Sequence, residues 1–185
     1  MGTAPGRRTG YGWPVLTATT TGPLPRLRKW WIPGTDRHIF LRDGSTGFLL
    51  VHLALWFHER VEPIDEGIFD EWGWADRPVR GSTTTSEHAG GVAEDLNATK
   101  HPMGVPIANT FTRLQITRIR WRLRYVYRGV LEWGGDWNRP DGMHFNLAPG
   151  KNLADAEKVA RRLMGTKRGR RILDENHGAR AVILS

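Results

Sequence analysis

The sequence contains no cysteine among its 185 residues. This absence excludes disulfides, thiolate metal ligands and cysteine nucleophiles. Any metal ion must therefore be held by nitrogen and oxygen ligands, and the chain offers 7 histidines and 19 acidic residues for that purpose. A metal site in this protein is expected to be of the histidine and carboxylate type.

Long hydrophobic runs are also missing. The longest apolar stretch, residues 47–57, is interrupted by His52 and is shorter than the roughly 20 residues that a membrane helix needs. Arg7 and Arg8 stand near the N-terminus, but no apolar stretch follows them, so a secretory signal is not expected. We therefore predict no transmembrane segment and synthesis in the cytoplasm.

Positive charge is abundant. The formal net charge is +8 at pH 7 and the sequence pI is about 10.6. Such a charge favours an acidic or polyanionic partner, which can be nucleic acid, a membrane surface or an anionic cell-wall polymer. Nine tryptophans and a 39% hydrophobic share are typical of a packed globular domain.

The distribution of glycine, proline and apolar residues predicts one domain with a preceding arm. Residues 1–24 are rich in Gly, Thr and Pro and lack periodicity, which predicts a flexible N-terminal arm before a domain of residues 25–185. Apolar residues recur at helical spacing over residues 46–61 and predict a core helix, with Ser45 or Thr46 as its N-cap.

The same signals predict the secondary structure of the remaining segments. Residues 62–110 are typical of loops that frame short strands, and residues 112–128 fit a helix better than a strand. Short strands are predicted at 130–133 and 143–147, joined as a hairpin. Asn152, followed three residues later by Asp155, predicts the start of C-terminal helices over about 152–178.

Two histidines and one aspartate form the most informative pattern. His88 and Asp95 lie in the segment 86–96, and His144 follows about fifty residues later. Two imidazoles and one carboxylate suit a catalytic zinc ion, which usually keeps three protein ligands and an open position for water or substrate. The glycines between His88 and Asp95 let the backbone turn sharply. We predict one zinc ion per chain; a capped turn with a hydrogen-bonded histidine is the structural alternative.

These residues resemble a known family. The pattern Ser-x-His-x-x-Gly-x-Ala-x-Asp-Leu at 86–96, with an acid three residues before the second histidine, is similar to the D-alanyl-D-alanine metallopeptidase family. Further similarity, over about residues 28–150, lies at 77–81, 95–104 and 133–137 and resembles the phage endolysin branch of L-alanyl-D-glutamate peptidases. The resemblance implies an α+β fold in which helices flank a small antiparallel sheet that carries the zinc site, as in hedgehog signalling domains.

The resemblance also implies roles for individual residues. It assigns zinc to His88, Asp95 and His144. Asp141, where many members carry Glu, is expected to be the general base that activates the water and then protonates the leaving amine. The expected substrate contacts are Arg77, Arg80, Ser86 and Trp137.

The function predicted from these features is a zinc-dependent peptidoglycan peptidase of the endolysin type. It is expected to cut the stem peptide at L-Ala-D-Glu, with D-Ala-D-Ala carboxypeptidase activity as the close alternative and a non-catalytic zinc-containing wall-binding module as the alternative of another class. The protein is expected to be a monomer, made in an infected bacterium and acting at the wall after release. The arginines of residues 113–128 are expected to attract anionic wall polymers, not nucleic acid, because no aromatic platform is evident beside them.

Overall fold

The computed structural model of the chain describes residues 3–18 and 22–184 and begins with two antiparallel hairpins. In the first, β1 (Thr3–Arg8) pairs with β2 (Pro14–Leu16). In the second, β3 (Leu27–Trp31) pairs with β4 (His38–Arg42) in an unbroken register. Trp30 on β3 and Ile39 and Leu41 on β4 belong to the buried core, so this hairpin covers one side of it.

The first hairpin lies in the segment that was predicted to be an arm. Its turn contacts the body of the protein, because the Gly10 amide donates a hydrogen bond of 2.9 Å to the Thr85 carbonyl. The local sequence shows no alternation that would reveal these strands, and the contacts that hold their turn, with Thr85 and Glu87, come from a distant part of the chain. Residues 1–2 and 19–21 of the predicted arm lie outside the described residues, and its flexibility stays a prediction.

A buried helix runs through the centre of the domain. This helix, α1 (Ser45–Arg60), has buried residues throughout its first thirteen positions. The predicted N-cap was wrong by one or two residues: the cap is Gly44, whose φ of 92° favours glycine and which makes no side-chain cap. Because α1 is covered on all sides, its sequence is apolar around most of its circumference.

The arginine-rich segment is helical, as predicted. Thr112 and Gln115 form a reciprocal capping box at the start of α2 (Arg113–Trp121). The helix continues without interruption into a π-helical turn, Arg122–Val126. Ile119 and Leu123 face the core, so the arginines of this segment are directed to the other sides of the helix.

A small three-stranded sheet carries the residues that the sequence singled out. Its strands are β5 (Ala93–Asp95), β6 (Leu131–Trp133) and β7 (His144–Leu147), in the order β5-β7-β6, and all pairs are antiparallel. The predicted hairpin of β6 and β7 is confirmed. Phe145 and Leu147 are fully buried beneath the sheet.

Three helices close the domain and pack on α1. They are α3 (Leu153–Met164), α4 (Lys167–Glu175) and α5 (Ala179–Leu184). Asn152 caps α3 through a reciprocal capping box with Asp155, as their spacing predicted. With five helices and small antiparallel sheets in the described residues, the predicted α+β class is confirmed.

The central position of α1 gives a direct test of the core. Leu53→Ala removes a fully buried side chain, and we expect the free energy of unfolding to fall by about 2–5 kcal/mol because a cavity is left behind. The matched control is Leu114→Ala on α2, where the side chain is 57% exposed and the change should stay within about 0.5 kcal/mol. Urea denaturation followed by circular dichroism measures both; similar losses would contradict the central position of α1.

Candidate metal centre

Two of the predicted ligands are directly opposite each other on neighbouring strands. Asp95 at the end of β5 pairs with His144 at the start of β7. Opposite residues on one face of an antiparallel pair have Cβ atoms about 4.5–5.5 Å apart, close enough for their side chains to meet. The Nδ1 atom of His144 is 2.9 Å from Oδ1 of Asp95. The register of the sheet therefore sets this pair.

The third predicted ligand stands on a short 3₁₀ turn before β5. Ser86 caps the turn, and its hydroxyl accepts a hydrogen bond of 3.3 Å from the amide of His88. Gly91 ends the turn with a φ of 66°, and a Cβ at this position would come within 2.8 Å of the Arg42 amide nitrogen. Only glycine meets both conditions, which explains the sharp turn that the sequence predicted at this position.

The ligand atoms of the three side chains converge. Nε2 of His88 is 3.2 Å from Oδ2 of Asp95 and 3.2 Å from Nδ1 of His144. Metal bonds of about 2.0 to 2.2 Å at tetrahedral angles place ligand atoms roughly 3.3 to 3.6 Å apart, so the observed spacing is close to that of a zinc site. The donor set, two imidazoles and a carboxylate, also fits zinc.

A backbone contact orients the first imidazole. Nδ1 of His88 lies 2.5 Å from the carbonyl oxygen of Gly73. A proton on Nδ1 donates to that carbonyl, which leaves the lone pair of Nε2 facing Asp95 and His144. Outer hydrogen bonds of this kind are usual for metal-binding histidines, because they set the tautomer and the ring orientation.

The electrostatics of the cluster favour an ionised carboxylate. Burial alone would raise the pKa of Asp95, but the neighbouring imidazoles of His88 and His144 hold it well below its usual range. Burial would lower the pKa of His144, whereas the hydrogen bond and negative charge of Asp95 raise it. The cluster therefore stabilises the negative carboxylate of Asp95 next to positive charge in a buried position.

A buried acid lies beside this cluster. The backbone amide of Asp141 donates a 2.8 Å hydrogen bond to the Gly134 carbonyl, and its own carbonyl accepts one of 3.2 Å from the amide of His144. Within the described chain its Oδ1 atom is buried and has no hydrogen-bond partner. Burial raises the pKa of Asp141; the charge of His144 acts in the opposite direction, and the charge of Asp95 adds to the rise. An unpaired buried carboxylate costs stability, so such a group is a candidate for a role with substrate or water.

The glycines that follow Trp133 allow the backbone of Asp141 to pack closely against this segment. A Cβ on Gly134 would come within 2.7 Å of the backbone oxygen of Asp141 and 3.0 Å of its Cβ. The indole nitrogen of Trp133 donates a hydrogen bond of 2.8 Å to the Gly142 carbonyl and so ties the following turn to β6. The motif therefore positions Asp141 through close backbone packing.

The cluster opens into a cavity of about 890 Å³. All eight side chains that the sequence proposed as site residues line it: Arg77, Arg80, Ser86, His88, Asp95, Trp137, Asp141 and His144. The ring of Trp137 lies 5.1 Å from that of His144, measured between centroids. Arg77 and Arg80 are exposed and have no carboxylate partner among the residues that the structure describes.

The N-terminal hairpin supplies a wall of the cavity that sequence reasoning missed. Glu87 is buried, and its carboxylate accepts hydrogen bonds of 2.7 Å from the Thr9 hydroxyl and 2.7 Å from the Tyr11 amide. The Tyr11 hydroxyl donates to Glu132 at 3.0 Å, and burial raises the pKa of Tyr11 to about 12. No local signal near Tyr11 points to the site, because its partners follow about eighty and one hundred and twenty residues later.

A His-Asp-His cluster beside a buried acid, in an open cavity of an α+β domain, has the features of a metallohydrolase site. Residues 80–147 match a family model described as D-alanyl-D-alanine carboxypeptidase. The matched segment contains all three candidate ligands and Asp141, so the resemblance to the D-alanyl-D-alanine metallopeptidase family is confirmed there. No curated protein and no solved structure matches the chain. In the described ranges, no helix has the length and apolar character to cross a membrane.

Proposed function

We propose that this protein is a zinc-dependent peptidase that hydrolyses the stem peptide of bacterial peptidoglycan. The observation that carries the proposal is the convergence of His88, Asp95 and His144 beside Asp141 in a cavity of about 890 Å³. When it is bound by two neutral histidines and one carboxylate, zinc lowers the pKa of a bound water and polarises a scissile carbonyl.

The proposed proton carrier is Asp141. Its unpartnered Oδ1 atom takes the proton of the attacking water, and the same carboxyl then gives that proton to the nitrogen of the departing amine. The raised pKa that results from burial helps the first step, because a more basic carboxylate takes the proton of the water more readily. A module that only binds the wall transfers no proton, so a buried acid with an unpartnered Oδ1 atom favours the catalytic function.

Substrate binding is proposed for the exposed arginines of the cavity. Arg77 and Arg80 can pair with a carboxylate of the stem peptide, since a guanidinium group offers two parallel donors. Trp137 presents its ring next to His144 and is placed to contact the peptide. Ser86 is proposed to act indirectly, by positioning the metal ligand His88. Its hydroxyl accepts a hydrogen bond from the His88 amide and so caps that turn.

The bond cut is proposed to be L-Ala-D-Glu, as in an endolysin made in an infected bacterium and acting as a monomer after release. D-Ala-D-Ala carboxypeptidase activity is the second candidate, favoured by the description of the matching family. Digestion of purified wall, followed by mass spectrometry of the new termini, separates them. New D-Glu amino termini support the first activity and release of D-Ala supports the second.

Removal of the metal is the first test of the reaction. We expect a chelator such as EDTA to abolish wall-peptide cleavage, since His88, Asp95 and His144 alone offer no nucleophile. Addition of Zn²⁺ after dialysis should restore cleavage, whereas Mg²⁺ should not, because it prefers oxygen ligands in an octahedral arrangement. Cleavage of either bond that continues undiminished in the chelator would contradict the proposal.

A further inference from the structure

A long segment of the sequence next to the proposed active site contains basic residues and no acidic residue. Between Asp95 and Glu132 the sequence has no acidic residue. Its basic residues are Lys100, Arg113, Arg118, Arg120, Arg122, Arg124 and Arg128. Six of these seven lie on α2, on the π-helical turn or just after it, so the structure concentrates the charge on one element.

Part of this element borders a groove that we name the arginine groove. It is about 680 Å³ in volume, and Arg120, Arg124 and Arg128 line it at spacings of four residues. Trp137 lines the same groove and also lines the cavity of the metal centre. The arginine groove and the cavity of the proposed active site therefore share Trp137 in their linings.

The arginine groove is lined by three arginines and by two acids, Glu132 and Asp136, and the positive charge that remains is available to a ligand. Arg120 pairs with Asp136 at 2.8 Å, and both side chains are about half exposed. Arg124 stacks over the ring of Tyr125 at 5.4 Å, and in the described part of the chain neither Arg124 nor Arg128 has a carboxylate partner. Two free guanidinium groups thus face solvent beside the cavity.

The other side of α2 also carries an excess of positive charge. A second cavity, of about 500 Å³, lies among Arg60, Arg118, Arg122 and Arg168. The Nε atom of Arg122 is buried and has no hydrogen-bond partner within the described residues. Burial is the main cause that lowers the pKa of Arg122; Tyr127 opposes it, and the charges of Arg168 and Arg162 add to the lowering. A bound anion would offset these positive charges.

We propose that the arginine groove binds a phosphate-bearing polyanion attached to the same wall as the peptide substrate. The partner fits by charge, because its phosphates can pair with the guanidinium groups of Arg124 and Arg128. It also fits by location, because the arginine groove and the cavity of the metal centre share the lining residue Trp137. The proposal rests on the proposed function, since it takes the wall as the source of both ligands.

Exposed aromatic residues on this face require nucleic acid to be considered. Contrary to the expectation from sequence, Trp121 and Tyr125 are 56% and 55% exposed beside the arginines. Their ring centroids are only 5.3 Å apart with planes tilted by 40°, so the two rings pack on each other. Binding of single strands relies on aromatic faces that are free to stack on bases, and the mutual packing of these rings favours the wall polymer.

Titration of the intact protein with soluble poly(glycerol phosphate) tests the proposal, because this probe contains no peptide bond and its binding does not depend on cleavage. We expect the Arg124→Gln/Arg128→Gln variant to bind about tenfold more weakly. The slope of log affinity against log salt should become shallower by about 1.4, as expected from about 0.7 per phosphate contact on a flexible chain. The matched control is Lys158→Gln/Arg180→Gln, which removes the same charge from exposed positions on α3 and α5 and should bind like wild type.

A second variant separates a lost contact from a lost fold. Arg124→Lys/Arg128→Lys keeps both charges and should retain most of the affinity. The proposal is overturned if the glutamine variant and its control bind equally well, or if wild type shows no salt-dependent binding. It is also overturned if an oligothymidylate with the same number of phosphates binds more tightly and Trp121→Ala removes that preference, which would identify a nucleic-acid site. Failure of wall digestion with retained polyanion binding would count against the peptidase alone.

Discussion

The His88→Ala variant is expected to lose its metal and to cleave wall peptides about 10³-fold more slowly or worse. The imidazole is one of three converging ligands, and two remaining ligands hold zinc poorly. The metal contributes several kcal/mol to the stabilisation of the transition state, and each 1.4 kcal/mol is a tenfold change in rate. Elemental analysis gives zinc per chain, and mass spectrometry of digested wall gives the rate.

The matched control for this variant is His177→Ala. His177 is an exposed histidine between α4 and α5, and the structure places it outside the cavity. We expect it to keep one zinc per chain and the full rate. If His88→Ala retained stoichiometric zinc, or if both variants cleaved at the wild-type rate, the assignment of His88 as a ligand would be wrong.

The Asp141→Asn variant is expected to separate metal binding from catalysis. It should retain zinc, because Asp141 is not among the converging ligand atoms, yet cleave about 10²- to 10⁴-fold more slowly through loss of the proton carrier. Asparagine has nearly the same shape, so the buried packing near Gly134 should be preserved. Zinc content and single-turnover cleavage of wall peptide are the two measurements.

Two further variants sharpen this result. Asp141→Glu restores a carboxyl group and should recover part of the rate, whereas the control Asp174→Asn alters an exposed acid on α4 and should have no effect. Undiminished cleavage by Asp141→Asn would show that Asp141 is not the general base. Equal binding of wall by wild type and Asp141→Asn, with equally slow release of fragments from both, would favour a binding module.

Local patterns in the chain predicted much of the helical structure and the β6-β7 hairpin. The capping signals at Asn152 and Asp155 identified the start of α3, because a cap is a contact between residues three apart. The N-cap of α1 was missed, since Ser45 and Thr46 are good caps by type while the chain uses the positive φ of Gly44. The first hairpin was missed because distant residues stabilise it.

The sequence by itself determined the residue types of the site. The absence of cysteine and the spacing of His88, Asp95 and His144 already predicted a histidine and carboxylate metal site, because metal chemistry depends on which donors exist. The turn at Gly91 was foreseeable for the same kind of reason, since only glycine readily adopts that backbone conformation.

Only the tertiary structure decided how these residues meet and what surrounds them. Three features depend on contacts across long stretches of chain: the register that sets Asp95 opposite His144, the cavity wall supplied by Tyr11, and the position of Trp137 in the lining of both the arginine groove and the cavity. Such contacts follow from burial and packing of the whole domain, which no local pattern encodes.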